Sequence, residues 1–179
     1  MSLTEIRNWI QLFAVLIGGI IGFIAFFQNM KQRRIENAMK MTKWFHESIS
    51  MEELESWETL FRASSELSGA KLGSYMEKGE ARSLSEYFSE GSPDAGAVGR
   101  IADCLEVICH ELSEKTVDPR FIWFELGQLL KTIHVWLNSI ENSSGKNLLE
   151  TSYPSFYKAF KKYNIKFDKW PSRTYAYIE

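Results

Sequence analysis

Residues 9–27 form a run of 19 positions in which Gln11 is the only strongly polar side chain, and residues 12–27 are apolar or glycine without interruption. At about 1.5 Å of rise per residue a helix of this length covers roughly 28 Å, close to the roughly 30 Å thickness of a bilayer's hydrocarbon. A lone segment can satisfy its backbone groups in lipid only as a helix. Trp9 at one edge and Phe26 and Phe27 at the other resemble an interfacial aromatic belt. Two other readings compete. A cleaved secretory signal needs a basic start and a small-residue cleavage site, but only Glu5 and Arg7 are charged before the run, and "FFQNMKQRR" follows it. A helix buried in a protein core needs a larger body around it than 179 residues supply. The expectation is a single membrane-spanning helix.

Charge sets the expected orientation. Lys31, Arg33, Arg34, Lys40 and Lys43 crowd behind the run against Glu36 alone, whereas the other flank is near neutral. By the positive-inside rule the N-terminus lies outside and the rest is cytoplasmic. Within a bacterial plasma membrane this makes residues 1–30 the anchor and residues 31–49 a basic juxtamembrane helix. Gly18 and Gly22 form a GxxxG spacing inside the run. Small residues four apart let two helix backbones approach closely, so these two are the candidates for helix association.

The net charge of −2 conceals a segregation. Residues 44–145 carry 8 basic and 18 acidic side chains, a net of −10, while residues 146–179 carry 7 basic and 3 acidic ones, a net of +4. The chain therefore divides further into an acidic segment (50–145) and a basic, aromatic C-terminal segment (146–179). An acidic middle argues against a general nucleic-acid surface, which needs a basic stripe to neutralise phosphates. Cys104 and Cys109, five residues apart, suit reduced thiols pointing in different directions.

The periodicities are helical throughout, so the expected fold class is all-α: a transmembrane helix continuing into a small helical bundle. Ile35, Met39 (or Ala38), Phe45 and Ile49 extend the first helix, and Ser50 with Glu53 forms a capping box ahead of Leu54, Trp57, Leu60 and Phe61. "SGAKLGSYMEKGEARS" reads as a broken connection, and "SLSEYFSEG" as one helical turn at best. Ser92–Pro93 and Asp118–Pro119 are start signals for two further helices. Val98, Ile101, Leu105, Ile108 and Leu112 line the first. Ile122, Leu126, Leu129, Ile133, Leu137 and Ile140 line the second. A link of about five residues predicts an antiparallel hairpin of these two. A last helix carries Tyr153, Phe156, Tyr157 and Phe160.

The anchor, the basic continuation and the stretch "RIADCLEVICHELSEKTVDPRFIWFELG", with its embedded Glu106 and its Val117–Asp118 step, resemble a bacterial family of membrane-anchored small helical proteins catalogued as a domain of unknown function. The resemblance implies this architecture and adds no site.

Chemistry is sparsely marked. There is no Gly-rich phosphate loop, HExxH or nucleophile elbow. "CLEVICHE" offers Glu106 and His110 on one helix face with Cys109 between them, and His134 on the next helix is the conceivable extra ligand. Zinc sites use paired, closely spaced ligands, and this cluster lacks them. It reads first as a helix-face pair with a core-edge histidine, and no cofactor is expected. Phe121, Trp123 and Phe124 read first as core or dimer-face aromatics. Lys161, Lys162 and Trp170 belong to a tail in which lysines alternate with rings. That pattern suits an anionic bilayer surface, docking on the acidic bundle, or a solvated face. The leading functional expectation is a non-enzymatic anchored module that binds membrane lipid, self-associates and engages a protein partner. The alternative is a membrane-disturbing effector of a phage-defence or toxin system, and a weaker third is an enzyme built around Glu106 and His110.

Overall fold

The computed structural model describes residues 3–65, 74–77, 80–84, 88, 95–141 and 145–173. Among the described residues the protein is all-α apart from one antiparallel pair of short strands. Its elements run α1 (Leu3–Ser48), α2 (Met51–Ser65), β1 (Ser74–Glu77), β2 (Glu80–Ser83), α3 (Ala95–Glu114), α4 (Pro119–Ser139), α5 (Leu148–Ser152) and α6 (Pro154–Phe167).

The apolar run and its basic continuation are one unbroken helix of 46 residues. At about 1.5 Å per residue α1 is roughly 69 Å long. The residues described in its first two thirds are exposed, and the most apolar stretch has no buried residue. From Arg34 onward it becomes the wall of a core. Ala38, Phe45 and Ile49 are buried, with Thr42 between them donating its hydroxyl to the Ala38 carbonyl at 2.9 Å. Met39 points outward, and Ala38 takes the core position. Ala38 continues the register of Thr42, Phe45 and Ile49, whereas Met39 falls on the next face.

Local signals place the other helices. Ser50 and Glu53 close the capping box reciprocally. The Ser50 N–H donates to the Glu53 carboxylate at 2.7 Å, and the Glu53 N–H donates to the Ser50 hydroxyl at 3.2 Å. Leu54, Trp57 and Leu60 of α2 are buried, and Phe61 stacks on Trp57. Asp118 caps α4 by accepting from the Arg120 and Phe121 N–H groups, with Pro119 in the first turn. All five stripe residues of α3 and all six of α4 (Ile140 at its C-cap) are buried in a single core. Ser92 and Pro93 lie outside the described residues.

Packing differs from the expected hairpin in who meets whom. Residues 115–118 do link α3 directly to α4, but α3 lies chiefly along α6 and α2, and α4 chiefly along α1. The connection after α2 contains the antiparallel pair β1–β2, with Ser74 opposite Ser83 and Glu77 opposite Glu80, where sequence patterning gives only a broken link. Leu84, just after it, is 1% exposed and anchors this segment to the core.

The C-terminus of α3 ends in a Schellman pattern, in which the Thr116 N–H reaches the Glu111 carbonyl and the Lys115 N–H reaches that of Leu112. Its left-handed residue is Lys115, at φ 62°. Glycine normally takes this place because a Cβ is strained there. Lys115→Gly is therefore expected to raise stability by about 1 kcal/mol, read as a higher urea midpoint at unchanged slope.

Candidate functional site

Four groups of residues stand out in the sequence, and the fold treats them differently. The apolar stem is open on all sides. Trp9 lies against Phe13, and Phe23, Phe26 and Phe27 cluster at its far end. Around Gly18 and Gly22 a Cβ would meet nothing within 4 Å, so the glycine notch is accessible to a second helix. This helix is long and apolar enough to cross a membrane.

The basic collar divides in two. Lys31 and Arg33 are exposed, but Arg34 is half-buried and holds the α3–α4 link. Its guanidinium donates to the Val117 carbonyl at 3.1 Å, while its own carbonyl accepts from the Asp118 N–H at 3.0 Å. The Asn37 amide adds a bond to the Thr116 carbonyl at 3.2 Å. Sequence patterning groups Arg34 with the membrane-facing cations and gives no reason to single out Asn37. Neither partner is near in sequence, so no local pattern signals this clamp.

The tail's alternation resolves into two faces of α6. Phe156, Phe160, Tyr163 and Phe167 are buried at helical spacing, and Lys161, Lys162 and Lys166 face solvent. Lysine ammonium groups lie over the rings of Tyr157 and Tyr163 at 5.2–5.9 Å. Lys162 also donates to the Ser113 carbonyl at 2.8 Å. After α6 the chain folds back on α4. The Trp123 indole N–H donates to the Trp170 carbonyl, and the Arg173 N–H donates to that of Phe124. Arg173 pairs with Glu125, and Arg120 lies over the Trp170 ring. Gly127 permits this return, since a Cβ there would come within 2.7 Å of Ser172 and 3.0 Å of the Trp123 indole. Of the three neighbouring aromatics, Trp123 is buried, Phe121 is half-buried against the core and Phe124 is exposed.

The polar cluster of α3 does not come together. Glu106 accepts from the Ser155 and Phe156 N–H groups, both at 2.7 Å, and thereby caps α6 from outside its own chain segment. Cys109 is fully buried, and desolvation raises its thiol pKa well above the ordinary value, which opposes the thiolate that nucleophiles and metal ligands need. His110 is exposed. His134 stacks on Phe160 at 4.0 Å, and burial lowers its pKa. It lines an open depression of about 250 Å³ with Asn138, Tyr157 and Lys161. Among the described residues no three His, Cys, Asp or Glu side chains are grouped as metal ligands.

Asp103, one turn before Glu106, escapes sequence reading. It hydrogen-bonds the Tyr153 hydroxyl, and burial together with this carboxylate raises the tyrosine pKa. The sequence does signal that α6 needs a cap from outside its own segment, though not that Glu106 supplies it. Pro154 starts α6, but the residue before it is Tyr153, which has no short side-chain acceptor, so the first N–H groups of the helix need an acceptor from elsewhere. Glu106→Ala is expected to destabilise the protein by about 2 kcal/mol through loss of this cap. Hydrogen exchange should quicken first at residues 155–158.

No protein-family model, curated protein or solved structure matches the chain.

Proposed function

We propose that the protein is a non-enzymatic, membrane-anchored helical module. Residues 9–27 span a bacterial plasma membrane, the N-terminus lies outside, and the bundle sits on the cytoplasmic face, where it self-associates and binds a protein partner. The observation that carries this reading is the continuity of α1: an exposed apolar stem and a core-forming segment share one helix with no intervening loop. A stem of some 30 exposed, mostly apolar residues is costly in water and at home in lipid. Lys31 and Arg33 behind it support the inward orientation. Binding rather than turnover is supported by the commitment of Glu106 to helix capping. The architecture accords with the family of anchored helical proteins that the sequence resembles, and membership of that family is part of the proposal.

Self-association is assigned to the open face at Gly18 and Gly22. The full chain in mild detergent is expected to scatter light as an oligomer, and the Gly18→Leu/Gly22→Leu double variant as a smaller species. An unchanged mass for the variant would move assembly into the bundle. A monomeric wild type would remove the self-association reading.

A further inference from the structure

The bundle has two chemically different ends, and α1 determines which lies nearer the stem. Arg34 is seven residues beyond Phe27, so with α1 spanning a bilayer it sits roughly 10 Å past the apolar run. Its bonds to Val117 and Asp118 hold the α3–α4 link at that level, on the order of a Debye length from the lipid surface. The second half of α6 arrives there too, because α6 runs beside α3 in the same direction. Glu106 meets Ser155 and Phe156, and further along Ser113 meets Lys162. Trp123 and Phe124 then pin Trp170 and Arg173 on the first turns of α4.

This near end gathers the exposed cations Lys31, Arg33, Lys115, Arg120, Lys166 and Lys169. Several of its acids are engaged locally: Asp118 caps α4, Glu111 accepts from Thr116, and Glu125 pairs with Arg173. Glu36, Glu114 and Asp168, together with the charges of Asp118 and Glu111, are a partial counter-charge that these cations and the half-buried Arg34 outnumber. Phe124, 46% exposed, stands among the cations. The far end is the reverse. Glu47, Glu52, Glu55, Asp103, Glu141 and Glu150 are exposed there and outnumber the cations Lys43, Arg100 and Lys146, of which Lys43 pairs with Glu47 and Arg100 with Glu53.

We propose that the near end docks on the anionic headgroups of the bilayer that α1 spans, with Phe124 as its apolar contact, and that repulsion of the acidic end fixes the bundle's tilt. This docking rests on the membrane-spanning reading of α1. Charge complementarity selects the occupant. A polybasic rim close to a span is attracted to anionic lipid within a Debye length and has no such attraction to zwitterionic lipid.

The test is hydrogen exchange of the full chain in nanodiscs, comparing phosphatidylcholine alone with phosphatidylcholine mixed with phosphatidylglycerol. In the anionic discs at low salt, amides of residues 115–124 and 168–173 should exchange about tenfold more slowly, and residues 51–65 should be unchanged. High salt, or the variant Lys115→Glu/Arg120→Glu/Lys166→Glu, should remove the difference. Equal exchange in the two lipids, or slowing at 51–65 instead, overturns the docking. Failure of the chain to enter either disc would overturn the spanning reading itself, and is scored separately by co-elution.

Discussion

Replacing Ile17 and Ile20 together with arginine is expected to abolish membrane integration while leaving the bundle folded. Both residues lie near the middle of the apolar run, where each arginine costs about 3 kcal/mol for insertion and each lost isoleucine about 0.5 kcal/mol more. The combined penalty of about 7 kcal/mol exceeds what the remaining apolar residues are expected to supply. Neither side chain touches the bundle, since both are more than half exposed. The measurement is the fraction of protein retained in the membrane pellet after alkaline extraction, alongside helical content by circular dichroism. Full retention of the double variant would mean that something other than the stem holds the protein to membranes.

The second large effect lies in the bundle. Trp123→Ala should cost about 4 kcal/mol and release the segment after α6. Trp123 is 4% exposed, stacks on Phe167 with ring centroids 4.1 Å apart, and donates its indole N–H to the Trp170 carbonyl at 3.1 Å. Truncation would therefore open a cavity between α4 and α6 and leave a carbonyl without its donor. Trp123→Phe keeps a ring in the stack and should cost about 1–2 kcal/mol, which isolates the hydrogen bond and the lost ring area. Chemical denaturation gives the stabilities. Trypsin cleavage after Lys169 reports the tail, and should accelerate strongly in the alanine variant and modestly in the phenylalanine variant.

What is legible in the sequence is local. The capping box of Ser50 and Glu53, the Asp118–Pro119 start and the stripes of α3 and α4 all depend on contacts within a turn or two, and each stands where the spacing puts it. The identity of packing partners is non-local. A stripe on α3 shows which face is apolar but not that α6, some 50 residues away, lies on it. The same blindness hides the Arg34 clamp on residues 117 and 118 and the capping of α6 by Glu106. Alternating lysines and rings after residue 157 look interleaved in one dimension and separate into two faces once wound at 3.6 residues per turn. The choice of Ala38 over Met39 falls within one residue, the usual ambiguity of a helical period. The β1–β2 pair leaves little sequence signal because its two four-residue strands are half Glu and Ser, hold no β-branched residue and carry a single aromatic, Tyr75.

The proposed function depends above all on α1 placing its two ends on opposite sides of a bilayer. Thr4 and Glu150 are both exposed, one at the start of the stem and one in the bundle. Single cysteines at these positions, in a Cys104→Ser background, can be probed in intact bacterial cells with a membrane-impermeant maleimide. The expected result is labelling of Thr4→Cys in intact cells and of Glu150→Cys only after permeabilisation. Equal labelling of both sites from the same side would contradict a spanning α1.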